Sequence, residues 1–375
     1  MRRIVVLTAT AALSAGLLSG ASAGEVSTPR HPAVFETVFA APLGLEGLTT
    51  DGRGNLYSPA RGADPCPVYR VAAAGGPAAV VGTIPAPCSP AGLTFDRRGR
   101  LYVANGETVV SFVPDTANPP AATVFAGGVP GANGLAFDRS GALWISDGGT
   151  GQGRVWRAGA DGVAVEQFRV QPLVSDVVPG GLGRDVRGLP PGTVTITPNG
   201  RTAADTAGSQ HIVANGLAFT ADGTLLVADT ARGALWRVPM DRAGRPRAAT
   251  GCDAAFPANT LCLDDLEVQH PYLEGADGIV IDRAGTVWTA ANERNAIVLA
   301  RRDGRVVEYF RNPADATSKL RNDGPLEFPT SPVLLPDGRL CVTSSDGNRR
   351  DNAPNTAGEA TPTGPVRAKI SCVKP

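Results

Sequence analysis

The apolar positions of this chain fall in short runs, and one arrangement of them returns six times. A small residue and a variable residue are followed, usually, by Gly. Three or four apolar-rich positions come next, then a turn with Asp and Gly, then a second apolar run. The copies read LEGLTTDGRGNLYS from Leu45, PAGLTFDRRGRLYVAN from Pro90 and ANGLAFDRSGALWISD from Ala132. The others are ANGLAFTADGTLLVAD from Ala214, ADGIVIDRAGTVWTAAN from Ala276 and TSPVLLPDGRLCVTSS from Thr330, the last with Pro332 in place of Gly. Two apolar runs around such a turn predict a β-hairpin. Further strand-like runs follow most copies, for example PVYRVAA and AAVVGTI after the first.

Four strands per repeat at a period of ~45 residues predicts an all-β fold, a six-bladed β-propeller with four antiparallel strands per blade. A stacked solenoid calls for shorter, more regular repeats. The sixth copy has one clear strand after its hairpin, RAKISCV. The N-terminal run AVFETVFAA, residues 33–41, is expected to supply the missing outer strand and close the ring, leaving no open edge. Copies three and four start 82 residues apart, at Ala132 and Ala214. Residues from about 171 to 212 therefore read as a loop-like insertion, in which GTVTITPNG is a candidate hairpin.

Residues 1–23 read as a secretory signal: two Arg, an apolar run, then Ala21-Ser22-Ala23 as a cleavage site. Residues 24–375 then form a single propeller domain in a secreted, periplasmic or extracellular protein. Lys+Arg and Asp+Glu both number 35, so no basic field exists to hold nucleic acid or an anionic membrane. The expected partner is a small molecule, and a monomer is expected. Six Cys in an exported chain suggest disulfides. Proximity pairs Cys66–Cys88 and Cys252–Cys262, the latter in one loop expected at the face opposite the candidate site, and leaves Cys341–Cys372. A Cys-based zinc site needs CxxC-like spacing, which is absent.

In a propeller the residue before the shared Gly lies beside the central axis, at one face, in every blade. In order these residues are Glu46, Ala91, Asn133, Asn215, Asp277 and Ser331. One Asn before Gly is ordinary turn chemistry. Two carboxylates and two amides at equivalent positions repel or dehydrate one another unless a cation joins them. The donors are hard oxygens, which suits Ca²⁺, with Zn²⁺ or Mn²⁺ as alternatives. A ring of water-bridged polar groups is the competing account.

These motifs resemble the senescence-marker-protein/gluconolactonase family, which includes regucalcin, and more distantly diisopropylfluorophosphatase. The resemblance spans most of residues 31–375 outside the insertion. It implies a metal held by Glu46 of LEG, Asn215 of ANG and Asp277 of ADG, with Asn133 over it. Gly131 and Gly134 stand where sugar-lactone hydrolases carry an Arg and an Asp, so the resemblance reaches the metal better than gluconolactone. It implies a secreted hydrolase of a lactone or related ester, with the divalent cation as Lewis acid and Asp277 as base or nucleophile. The alternatives are a phosphotriesterase, or a non-catalytic binding propeller with a structural ion.

Other polar residues weigh less. The second strands end in Asn105, Asp147, Asp229 and Asn292, candidates to contact substrate, with loop capping as the competing account. His211 stands four residues before Asn215 and is a candidate to face the pocket; His31 and His270 have no such place. No G-x-S-x-G elbow supports a Ser-His-Asp triad. GGTGQG, residues 148–153, falls between strands and reads as a loop.

Overall fold

A strand that is apolar on both faces is stable only between two layers. Leu143–Asp147, Leu225–Asp229, Val287–Ala291 and Leu340–Ser344 are buried at every position. In this computed structural model, which describes residues 33–150, 152–171, 213–247, 258–262, 265–312, 325–345 and 368–375, they are the second strands of blades 3 to 6 of a six-bladed propeller.

Each blade is built on four antiparallel strands, which in blades 1 to 5 run outward from the axis in chain order. Blade 1 has a split inner strand, Gly44–Leu45 and Thr49–Thr50, then Asn55–Arg61, Cys66–Ala72 and Ala79–Ile84. The inner hairpins of blades 2 to 6 begin at Pro90, Ala132, Leu217, Ala276 and Pro329. Blade 6 takes Ala368–Val373 as its third strand and Glu36–Ala41 from the N-terminus as its outer one, with Ala41 opposite Ala368. The expected closure is thus formed.

The core lies between blades as six separate clusters. Alternation along each strand sends successive side chains to opposite neighbours. Leu143 and Ile145 pack toward blade 2 with Tyr102 and Val109, and Trp144 packs toward blade 4 with Leu217 and Trp236. In the hairpin turns an Asp accepts from the backbone and from an aromatic one strand on. Asp138 Oδ1 accepts from Ala142 N at 3.0 Å, and Oδ2 from Trp144 Nε1 at 3.0 Å. This explains why Asp opens the turn in most copies.

Cys66–Cys88 and Cys341–Cys372 are bonded, the second directly across two neighbouring strands of blade 6. Cys252 lies outside the described residues, as do residues 1–32 and 172–212, and with them the expected signal, His31, the candidate hairpin and His211. One expectation is corrected. Thr260–Leu261, just before Cys262, pairs in parallel with Arg169–Val170 as a fifth strand of blade 3. Gln171 N donates to Leu261 O at 3.1 Å. The outer strand ends there at the face of the candidate site, so Cys262 is not at the opposite face. The open edge of blade 3 has unpaired backbone groups, and this loop satisfies them.

Among the described residues no helix is long and apolar enough to cross a membrane.

Candidate active site

The inner strands converge until backbone touches backbone. A Cβ on Gly47 would lie 2.4 Å from Ala91 O, on Gly92 2.5 Å from Asn133 O, and on Gly134 2.3 Å from Asn215 O. On Gly216 it would lie 2.4 Å from Asp277 O, and on Gly278 2.5 Å from Thr330 O. Each shared Gly thus abuts the backbone at the axial position of the next blade. Blade 6 departs from the sequence alignment by one residue: Pro332 pairs with Val342 where Leu135 pairs with Ile145 in blade 3, so Thr330 and not Ser331 holds the axial position, and Ser331 and not Pro332 stands in place of the shared Gly. Its seam with blade 1 is joined by hydroxyls: Thr330 Oγ1 and Thr343 Oγ1 donate to Glu46 O at 2.5 and 2.8 Å. Ser146 Oγ does the same for Asn215 O at 2.6 Å. This close approach gathers the six axial residues at one end of the ring.

The residues beside them come from one further position per blade. Gly44 faces Arg61 in blade 1, two residues ahead of Glu46. The equivalent residues in the aligned repeats are Gly106, Gly148, Thr230, Asn292 and Ser345. Four of these meet the axial side chain of their own blade. Arg61 Nη1 lies 3.4 Å from Glu46 Oε2. Asn292 Nδ2 donates to Asp277 Oδ2 at 3.0 Å. Asn215 Nδ2 donates to Thr230 Oγ1 at 3.1 Å, and Thr230 Oγ1 donates to Ala276 O at 2.6 Å. A Cβ on Gly148 would lie 2.7 Å from Asn133 Nδ2, so the Asn133 amide lies over that glycine.

Asn105, Asp147 and Asp229 stand one position earlier than Asn292, and the one-residue offset turns them elsewhere. Asp147 is fully buried against Arg154 on the third strand of its own blade, with Thr150 closing the loop at 2.7 Å. Asp229 is buried against Arg232 and accepts from Trp236 Nε1 at 3.0 Å. Asn105 Oδ1 accepts from Ser89 N at 2.7 Å in a loop. His270 Nδ1 accepts from Tyr272 N at 3.1 Å and caps a short turn. Of the four strand-end candidates, the structure brings Asn292 to the axial carboxylates. Arg61 and Thr230 join it there and were not singled out in the sequence; the aligned repeats hold the signal, one column beyond the strand ends.

Asp277 is buried, and that burial together with the charge of Glu46 pushes its carboxyl well above the usual carboxylate range. Hydrogen bonds from Asn292 and Asn215, and the Arg61 guanidinium, act in the opposite direction. Ala214, just ahead of Asn215, is buried with φ 54°, a left-handed conformation that costs a β-carbon residue about 1–2 kcal/mol. Strain held at such a place is common at ligand sites. Among the described residues no three His, Cys, Asp or Glu side chains converge on one point. The donors here are two carboxylates with amides between them. Crowded, dehydrated carboxylates and neutral amide oxygens are the chemistry of a hard divalent cation site, so these residues fit one.

No curated protein sequence matches the chain. Among solved structures it is similar to regucalcin, a calcium-binding protein of Agrobacterium tumefaciens, at 20% identity and a TM-score of 0.53 over 92% of this chain and 95% of that one. A gluconolactonase of Xanthomonas campestris is similar at 15% identity and a TM-score of 0.53, over 91% and 90%. The PQQ-bound aldose sugar dehydrogenase of Streptomyces coelicolor is similar at 17% identity and a TM-score of 0.54, over 92% and 100%. At these identities the likeness shows the fold alone, and a dehydrogenase on the same fold shows that the fold does not select the chemistry. Residues 67–321, more than half of the chain and including Asn133, Asn215 and Asp277, match the family described as SMP-30/Gluconolactonase/LRE-like region, and the chain belongs to that family.

Proposed function

We propose that the protein hydrolyses a lactone or related carboxylic ester at the axial cluster, using a divalent cation, most simply Ca²⁺, held by Glu46, Asn215 and Asp277 with Asn133 beside it. The observation that carries this reading is a buried Asp277 set against the charge of Glu46 and oriented by Asn292. When bound, such a cation supplies Lewis-acid polarisation of a carbonyl oxygen and offsets the two carboxylates. Asn292 holds Asp277 Oδ2 and so orients the carboxylate that would take a proton from an attacking water. Burial and Glu46 favour proton uptake by that carboxyl, as a general base requires. Asn215, tied to Thr230, keeps its amide fixed next to Asp277. The amide of Asn133, resting over Gly148, lines the side on which a carbonyl would approach. Export from the cytoplasm belongs to the same reading, supported by the N-terminal sequence and the two disulfides.

Asp277→Asn tests this. The variant keeps an oxygen donor and removes the charge. At saturating Ca²⁺ it should still bind metal, while turnover of an active lactone or ester falls by about 10² or more, the usual scale for losing a general base. A metal-loaded variant that turns over at the wild-type rate rules the mechanism out. Wild-type protein that binds metal and hydrolyses no lactone, ester or phosphotriester points instead to a non-catalytic binding propeller.

A further inference from the structure

The positions around the axis are filled unevenly. Blades 4, 5, 6 and 1 place polar or charged side chains at both the axial and the flanking position. Blade 2 has Ala91 and Gly106 there, and blade 3 has Asn133 lying over Gly148. Among the described residues, the small residues of blades 2 and 3 thus mark the sector in which side chains fill the axial face least.

Arg61 stands on the border of that sector. Its Nε donates to Pro90 O at 2.6 Å, the residue before Ala91, and its Nη1 lies 3.4 Å from Glu46 Oε2. Two anchors on different blades fix the plane of the guanidinium. Nη2 has no acceptor among the described residues, and the side chain is 42% exposed. A guanidinium held in this way, with one edge free, is suited to a carboxylate. Charge points the same way. Glu46 and Asp277 bring two negative charges and Arg61 one positive. With a divalent cation in place the cluster carries one positive charge, which an anionic ligand would neutralise. Asp147 and Asp229 do not alter this sum, because each is paired inside its own blade.

We propose that Arg61 is a specificity-determining residue, and that the substrate is a lactone or ester bearing a separate carboxylate that binds at Nη2. The proposal rests on the hydrolase reading of the axial cluster. The test uses a carboxy-substituted γ-lactone and its neutral carboxamide, assayed with wild type, Arg61→Gln and Arg61→Lys at saturating Ca²⁺. Wild type should prefer the carboxylate by about 10-fold or more in kcat/KM, chiefly through KM, and Arg61→Gln should remove most of that ratio while Arg61→Lys keeps part of it. A uniform loss on both substrates overturns the proposal, since Arg61 would then act only by holding Glu46. Wild-type hydrolysis without preference also overturns it and leaves the hydrolase reading intact. Calorimetric binding of the ring-opened hydroxy acid and its amide is read in parallel. Tighter binding of the acid, lost in Arg61→Gln, supports the anion site even if neither lactone turns over, an outcome that counts against hydrolysis alone. No binding preference in that case overturns the anion site too.

Discussion

Gly216→Ala tests whether close axial packing builds the site. The added Cβ would lie 2.4 Å from Asp277 O and 2.9 Å from both Gly278 Cα and Ile279 N. All three are backbone atoms, so no side chain can rotate away. An ordinary carbon–oxygen contact is about 3.5 Å, so the seam between blades 4 and 5 must open by roughly 1 Å. That seam is packed with Leu226, Ala228 and Leu235 against Ile279, Ala291 and Val298, all buried. Close-packed interiors do not absorb such a shift without losing contacts. Overpacking costs about 1–3 kcal/mol, and backbone opposition puts this case at the upper end. The lower unfolded-state entropy of Ala returns about 0.4–1 kcal/mol. The net expectation is about 2–3 kcal/mol, or a fall in Tm of roughly 5 °C. Asp277 moves with its carbonyl, so Ca²⁺ affinity should fall in the same variant. Gly127→Ala is the control: its Cβ meets nothing within 4 Å and its φ is not left-handed. Urea unfolding and Ca²⁺ calorimetry on both variants decide the matter. A Gly216→Ala protein with the urea midpoint and Ca²⁺ affinity of the Gly127→Ala control refutes the reasoning.

Two further predictions follow from the same structure. Burial opposes ionisation of Asp138, but hydrogen bonds from Ser140, Trp144 and Ala142, with Arg157, outweigh it and hold its carboxyl below the usual value of 3.8. A depressed folded-state value gives stability that is present above pH ~4 and is lost as pH falls through that lower value. Asp138→Asn should therefore cost on the order of 1 kcal/mol at pH 7 and flatten the acid limb of the stability profile; a wild-type acid limb in the variant sinks this. Chelation should lower Tm, and Ca²⁺ at 100 times its Kd should restore about 2.7 kcal/mol of stability. Protein that carries no stoichiometric metal, and whose Tm ignores added Ca²⁺, contradicts the metal assignment.

The fold was legible because its elements repeat. A turn carrying Asp and Gly between two apolar runs, copied six times, fixes hairpin, blade and ring together. The closing strand was legible because the last blade lacked one and the N-terminus had one to spare. Thr260–Leu261 was not, since a two-residue pairing leaves no periodic trace. In the site, repetition named the axial column of blades 1 to 5, missed that of blade 6 by one residue, and did not name the neighbours. The polar residues ending the second strands look equivalent by eye, yet Asp147 and Asp229 stand one position from the column of Arg61, Thr230 and Asn292. A strand shows opposite faces at successive residues, so that single offset separates a residue buried in its blade from one beside the axis.

The axial column also bears on why its charges are there. In blades 1 to 5 the packing demands Gly at the shared position, where a Cβ has no room. It makes no such demand on the residue before it. Blade 2 accepts Ala91 and blade 6 accepts Thr330 in the same backbone setting. The fold is therefore satisfied by a small neutral side chain at the position that holds Asp277 in blade 5. An aspartate there is buried, faces the charge of Glu46, and is driven toward its neutral form. Burying a carboxylate among like charge opposes folding. Asn292, Asn215 and Arg61 reduce that opposition without removing it. A cluster that the scaffold does not require, and that burial disfavours, is accounted for by what it binds.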